Sequence, residues 1–326
     1  MIPTMPAIDL SFTTINQELP DFIYRELSTY SANSNSYHHQ PEVLRNLIAK
    51  KYGISIDNVA LSSGSDQAIF LLSSLYGKHG HIFTPTYISY TDIKRLGNLT
   101  EHYSLEGGSY NISASTIDGA SLIFVANPNN PAGITSRETI LELVKNNPQA
   151  KVAVDEAYGD FAGESVIQDV PSCKNLIVLR SFSKGFALAG FRIGYIIAQA
   201  ETLDNMILES TWFNVAYTSV GAAVAALEHE DHFVEIRASV INERQRFETY
   251  LTRAGYKVLP SSINAVLLKF DSEDGAMTFV NALKTKEILV NQGNGASNTG
   301  LDNSFVRISI GSPEQMTYVK QAINEL

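Results

Sequence analysis

The sequence predicts an α/β fold: a large domain with a mostly parallel central sheet covered by helices, plus a smaller α/β domain. Three observations carry this. Short apolar runs recur through the first two thirds of the chain with helix-patterned text between them, as strands joined by crossover helices do. Several of those runs are apolar throughout rather than alternating, which is how strands covered on both faces read. From about residue 210 the alternation gives way to helical text and then to a second, shorter β/α pattern.

In chain order, the strand-like runs are Val59 to Ser62, His81 to Thr84, Leu122 to Ala126, Val152 to Asp155, Leu176 to Leu179 and Ile193 to Ala198. Ser65 to Tyr76 is amphipathic, with Ile69, Leu72 and Tyr76 on one helical face. Thr135-Ser-Arg-Glu138 reads as a capping box opening a helix through Val144. The charged text from Glu228 to Ala254 reads as one long helix or two. Beyond it, Tyr256 to Leu259, Ala265 to Phe270, Ile288 to Val290 and Phe305 to Ile310 read as strands, with helices at Gly275 to Lys284 and from Pro313 to the end. The Gly/Asn/Ser-rich run from Gly293 to Gly300 reads as a mobile loop. The expected division is a large domain over 31–249 and a discontinuous small domain made of 1–30 and 250–326.

At 326 residues with 44% hydrophobic content, the chain can bury a substantial core that splits in two. The formal net charge is −10, from 24 basic and 34 acidic residues, with no Lys/Arg-rich run, so no electrostatic footprint for nucleic acid is present. The N-terminal MIPTMPAIDLSF lacks a basic segment followed by an apolar one, and no stretch reaches the roughly 18 apolar residues of a membrane span. The single cysteine, Cys173, can form neither an intrachain disulfide nor a multi-cysteine metal site. A cytoplasmic protein with no nucleic-acid or membrane partner is the expectation. His229 and His232 share a helical face without a third ligand nearby and read as solvated, not as metal ligands. His38 and His39 read as loop residues beside Tyr37.

The candidate chemistry sits at the ends of the strand-like runs. Arg180 to Tyr195 reads RSFSKGFALAGFRIGY, placing Lys184 between two core strands, where an unpaired ammonium is costly. A lysine can form a Schiff base with an aldehyde cofactor, Ser181 and Ser183 supply hydroxyls, and Arg192 supplies a fixed cation for a phosphate. Together they point to a phosphorylated aldehyde, pyridoxal 5′-phosphate; a solvated loop lysine near a surface arginine is the plainer alternative. Asp155 ends the run VAVD, where open α/β sheets place their ligands. A carboxylate there would keep a pyridinium nitrogen protonated and the ring electron-withdrawing, or would merely cap a helix. Tyr158, three residues on, could donate to the ring's 3-oxygen.

Asn127 to Gly133, NPNNPAG, is a rigid turn at a strand end. Turn chemistry explains its prolines and glycine but not so many amides, and Asn130 could set a donor against the same 3-oxygen. Ser62-Ser-Gly-Ser-Asp66 opens a helix whose free N–H groups, around Gly64, Ser65 and Asp66, suit a phosphate, although any capped helix looks similar. Tyr87, in Pro85-Thr-Tyr87, could stack on a pyridine ring or be an ordinary core tyrosine. Coincidence tips the balance, because all these groups fall at the ends of successive strands.

With these residues in view, the chain resembles the fold type I pyridoxal phosphate enzymes, with their aspartate aminotransferase-like fold, and within them the histidinol-phosphate aminotransferases. The resemblance covers nearly the whole chain, through SNSYHHQPEVLRNLIAKKYG, LSSGSDQAIFLL, PTYISY, NPNNPAG, VAVDEAY, SFSKGFALAGFRIGY and FVRISIG. It implies that Lys184 holds the cofactor as a Schiff base and shuttles the proton, that Asp155 pairs with the ring nitrogen, that Tyr158 and Asn130 hold the 3-oxygen, and that Tyr87 stacks on the ring. It further implies that Ser65, Asp66, Ser181, Ser183 and Arg192 hold the phosphate, that Tyr37 reaches the phosphate of a partner subunit in a homodimer, and that Arg307 binds the substrate carboxylate.

The departures concern substrate. Where relatives carry an N-E-N-P-type segment, this chain has Phe12-Thr-Thr-Ile-Asn-Gln-Glu-Leu19, and where they carry a phosphate-binding arginine it has Asn291. The implied reaction is exchange of an amino group between an L-amino acid or amino-phosphate donor and a 2-oxo acid. Decarboxylation of an amino-acid phosphate on the same scaffold is the runner-up, and a non-catalytic binding protein that keeps the fold is the reading from a different class.

Overall fold

In the computed structural model, which describes residues 7–15, 17–209 and 213–326, seven strands form the larger sheet: β1 (Val59–Ser62), β2 (His79–Thr84), β3 (Asn98–Tyr103), β4 (Leu122–Ala126), β5 (Lys151–Asp155), β6 (Leu176–Ser181) and β7 (Gly194–Ile197). Their order is β1–β7–β6–β5–β4–β2–β3. All neighbours pair in parallel except β7, which runs antiparallel to both β1 and β6. Six of the seven were legible as apolar runs. The exception, β3, carries the polar text NLTEHY at the sheet edge, where side chains remain in water and no apolar run is required.

Alternate residues of each strand serve opposite faces, so a continuous apolar run fills two cores at once. Ile123 and Val125 of β4 pack in a cluster with α2 (Glu42–Tyr52), α4 (Arg137–Asn146) and α6 (Tyr217–Glu228). Leu122, Phe124 and Ala126 pack in another with α3 (Gly64–Tyr76) and α5 (Ala200–Glu209). Each fully buried Leu, Ile or Phe contributes about 1.5–3 kcal/mol.

The expected capping box at Thr135 does not form, and the helix is capped one residue later. Ser136 is the N-cap of α4 and accepts from the Thr139 N–H at 3.2 Å, while Thr135 is held through its backbone by both ends of the Asn127 amide. The charged text after α6 is a single helix, α7 (Glu230–Arg253). A capping box does form at Ser312 and Gln315, opening α9 (Pro313–Asn324).

The smaller sheet is antiparallel, in the order β8 (Lys257–Leu259), β9 (Ala265–Lys269), β11 (Phe305–Ser309), β10 (Asn291–Gln292). It packs with α7, α8 (Glu273–Thr285) and α9 around Phe247, Leu251, Phe279, Leu283 and Val319. Near the start of the chain, Ile8 and Asp9 pair in parallel with Ile288 and Leu289 beside this sheet, whereas α1 (Asp21–Ser31) packs on α6 beside the larger one. The run 293–300 is not a free loop. Asn298 and Thr299 pair with Tyr87 and Thr86, and the Asn298 side chain is fully buried. Gly/Asn/Ser text reads alike for a loose loop and for one pinned by its amides.

Candidate active site

The carboxyl ends of β1, β2, β4, β5 and β6 share one edge of the sheet, and the antiparallel β7 brings its amino end, with Arg192 just before it, to the same edge. The connections there enclose a cavity of about 250 Å³. Ser65, Asp66, Tyr87, Asn130, Asp155, Tyr158, Ser181, Ser183, Lys184 and Arg192 line it from the larger sheet, and Arg307 lines it from β11. Of the candidate residues, Gly64 and Tyr37 are not in the lining. Gly64 lies beneath Arg192: it sits at φ +71°, and a Cβ there would come within 2.7 Å of Arg192 Nη2. Tyr37 is 83% exposed and stacks on Phe213 at 4.5 Å between ring centroids.

Asp155, the last residue of β5, is buried. Its Oδ2 accepts from the Tyr90 hydroxyl at 2.9 Å and its Oδ1 from the Ala157 N–H at 2.9 Å. Burial pushes its carboxyl up to about 6, with those two hydrogen bonds pulling the other way. Among the described residues no lysine or arginine forms an ion pair with it. A buried carboxylate with this environment fits a cationic ring nitrogen.

One end of the cavity is built on α3 and the β6–β7 connection. Arg192 Nη2 donates to Asp66 Oδ2 at 2.8 Å, and the Tyr87 hydroxyl donates to Asp66 Oδ1 at 2.8 Å. Burial holds the Tyr87 phenol above its usual range. The carboxylate of Asp66 is therefore occupied, and an anion at this end would meet the backbone N–H groups of the first turn of α3 and not that side chain. Arg192 itself is a non-glycine residue at φ +50°, a sparsely populated conformation of the kind that persists at functional sites.

Opposite chemistry gathers around Lys184. Its Nζ donates to Thr13 Oγ1 at 2.8 Å and to the Thr13 carbonyl at 3.1 Å. Thr13 Oγ1 also lies 2.6 Å from the Tyr158 hydroxyl. Arg307 is 2% exposed. Its Nη1 donates to Asn130 Oδ1 at 2.7 Å and Asn298 Oδ1 at 2.9 Å, and its Nη2 donates to the Ser11 carbonyl at 2.6 Å. Its Nε is buried without a partner. Burial lowers the Arg307 guanidinium from its usual range, a shift that a bound anion would oppose.

Three contributors escaped sequence reasoning. Tyr90 lies three residues after Tyr87, and its spacing in PTYISY is the one signal that could have marked it. Thr13 and Asn298 approach the site from 171 residues before Lys184 and 168 residues after Asn130, and no local pattern reports such contacts. The surplus amides of NPNNPAG also find their use here: Asn127 holds Thr135, and Asn129 Nδ2 donates to the carbonyls of Pro85 and Ala132. Asn291, expected near the substrate, does not line the cavity; its side chain lies against the backbone of Gly295, with Nδ2 buried and unbonded. His229 stacks on Phe22 and His232 meets the same ring edge-on, and the described residues include no metal-binding cluster.

Fold and site together define a pyridoxal-phosphate-dependent enzyme. The chain belongs to the aminotransferase class I and II family, whose model matches residues 12–323. It is similar to the histidinol-phosphate aminotransferase of Thermotoga maritima, 30% identical over 92% of this chain and 86% of that one. Among solved structures it is similar to histidinol-phosphate aminotransferase from Sinorhizobium meliloti in complex with pyridoxal-5′-phosphate, with a TM-score of 0.87, 22% identity, and 98% and 90% of the two chains covered. It is also similar to L-threonine-O-3-phosphate decarboxylase from Porphyromonas gingivalis, with a TM-score of 0.83, 24% identity and 98% of each chain covered. At that identity the decarboxylase shares the fold alone, so decarboxylation is the less favoured reading. The chain is a pyridoxal-phosphate-dependent aminotransferase. Among the described residues no helix is long and apolar enough to cross a membrane.

Proposed function

We propose that the enzyme moves an amino group between an L-amino acid or amino-phosphate donor and a 2-oxo acid, in the manner of the histidinol-phosphate aminotransferases it resembles. One observation carries the reading: a single cavity is lined by a buried carboxylate, Asp155, and a buried guanidinium, Arg307, neither of which has an ion-pair partner among the described residues. Such a site fits a molecule that is cationic at one place and anionic at another. When bound, pyridoxal 5′-phosphate supplies an aldehyde that condenses with amines and a protonated ring that withdraws electrons from the substrate α-carbon.

Asp155 would pair with the ring nitrogen and Tyr87 would lie against the ring. Tyr158 and the Asn130 amide would donate to the 3-oxygen; Asn130 Oδ1 already accepts from Arg307, which turns its NH2 away from that bond. The N–H groups at Gly64, Ser65 and Asp66, the hydroxyls of Ser181 and Ser183, and Arg192 would hold the phosphate. Lys184 Nζ would anchor the aldehyde, then take the proton from the substrate α-carbon and return it. Arg307 would bind the substrate anion. Three of its five N–H groups are already bonded, so two remain for an anion. Tyr37, exposed and outside its own cavity, would reach the partner's phosphate in a homodimer.

The test is a donor screen that includes histidinol phosphate and aromatic and acidic amino acids, with a 2-oxo acid acceptor and the new amino acid measured directly. Transfer by the wild-type enzyme and none by Lys184→Ala is the expected result. Full turnover by Lys184→Ala would overturn the assignment, and release of CO2 without amino transfer would favour decarboxylation. Sedimentation should give a dimer mass.

A further inference from the structure

The N-terminal segment is tied to both ends of the substrate side of the cavity. Leu10 exchanges backbone hydrogen bonds with Leu289 and Ser309, and the carbonyl of Ser11 receives Arg307. Two residues on, Thr13 reaches Lys184 and Tyr158, and its side chain is 4% exposed. The backbone that holds the anion-binding arginine therefore also fixes a threonine against the lysine.

A hydroxyl has one proton to donate and two lone pairs to accept with. The Lys184 ammonium has only protons, so toward Lys184 the Thr13 hydroxyl must accept. Its own proton is then free to donate to Tyr158 Oη at 2.6 Å. Thr13 thus links Lys184 to Tyr158 through one hydroxyl, and the Thr13 carbonyl adds a second acceptor for the same nitrogen at 3.1 Å.

We propose that Thr13 is a positioning residue: its hydroxyl holds the Lys184 amine on the Tyr158 side of the cavity whenever that amine is not bonded to the cofactor, and so presents it for the α-proton. This rests on the assignment of Lys184 as the proton carrier. Without the hydroxyl, the four-carbon stem of Lys184 keeps one acceptor where it had two, and the nitrogen spends less time in the reactive position.

The experiment compares Thr13→Val, which replaces the hydroxyl with a methyl at nearly equal volume, with Thr13→Ser, which keeps it. The Val variant should lose about three- to tenfold in kcat, the worth of one hydrogen bond, with little change in KM. The primary isotope effect with an α-deuterated donor should rise, and Thr13→Ser should stay within about twofold of wild type. In the cofactor-free protein, Lys184 should react with acetic anhydride about threefold faster in the Val variant, read by peptide mass spectrometry, because one of the two contacts that hold the amine in place is gone. Wild-type kcat and isotope effect in Thr13→Val, or an equal loss in both variants, would overturn the proposal. Unchanged labelling of Lys184 would also overturn it. Failure of the underlying assignment looks different: Lys184→Ala would then keep its turnover whatever Thr13 does.

Discussion

Tyr90 donates its hydroxyl proton to Asp155 Oδ2 at 2.9 Å, and its ring stacks on Phe124 at 4.9 Å between centroids, so the carboxylate is backed by a side chain whose own place is set by the core. The bond favours the ionised form of Asp155 against the burial that raises its carboxyl to about 6. Tyr90→Phe keeps the ring and removes the donor. Its expected effect is a loss of about ten- to a hundredfold in cofactor affinity, the worth of a hydrogen bond to a charged group. A fluorescence titration of the cofactor-free protein measures it, and an unchanged Kd would mean that Ala157 and the cofactor alone suffice.

The same carboxyl makes the cofactor-free protein sensitive to pH. Asp155 binds its proton more tightly in the folded state, at about 6, than in the unfolded chain near 4. The folded state is then favoured at low pH and loses this contribution as pH rises from about 4 through 6, on the order of 3 kcal/mol in all. Binding of a cationic ring nitrogen should reverse the loss. Urea unfolding at about pH 4 and about pH 7, which bracket this window, with and without cofactor, should show the gap between the two protein forms widening toward neutral pH; Asp155→Asn should flatten the cofactor-free curve.

Gly64 is where the backbone meets the proposed phosphate site. A Cβ at φ +71° is strained, and this one would stand within 2.7 Å of Arg192 Nη2. Gly64→Ala should push Arg192 off Asp66 while leaving both sheets intact. Cofactor retention on dialysis should fall by about tenfold or more, given that a charge-assisted contact is disturbed, while the circular dichroism spectrum should match wild type.

Much of this was legible because the fold writes its central strands as apolar runs and its site at their ends. Asp155, Lys184, Arg192 and Asn130 were found by position in that scheme, and all four line one cavity. What stayed hidden depends on distance in space. The polar edge strand β3 carries no hydrophobic signal because one side faces water. Thr135 looked like a cap but is held by Asn127, a contact that wins over local capping preference. Thr13 and Asn298 enter the site from segments whose composition reads as irregular, and Asn291 turned under Gly295 and away from the cavity.

Arg180 offers a separate test of what supports the site from behind. It is buried, and its guanidinium donates to Glu156 Oε2 at 3.3 Å and Asp160 Oδ1 at 2.5 Å. Glu156 follows Asp155 in the chain but turns the other way, toward Ser165, Val166 and Arg180, so adjacent carboxylates serve two different partners. Burial raises the Glu156 carboxyl and Arg180 lowers it. Arg180→Met removes the cation and leaves both carboxylates buried without a countercharge, Glu156 keeping only its bonds from Ser165 and Val166, which should cost about 3–5 kcal/mol of stability at neutral pH. In that variant the burial that raises Glu156 would no longer be opposed by Arg180, so Glu156 would bind its proton more tightly folded than unfolded and the deficit should shrink as pH falls. Adding Glu156→Gln and Asp160→Asn to Arg180→Met should recover a large part of the loss at pH 7. If the triple variant is no more stable than Arg180→Met alone, the cost comes from packing around the missing side chain and not from the stranded charges.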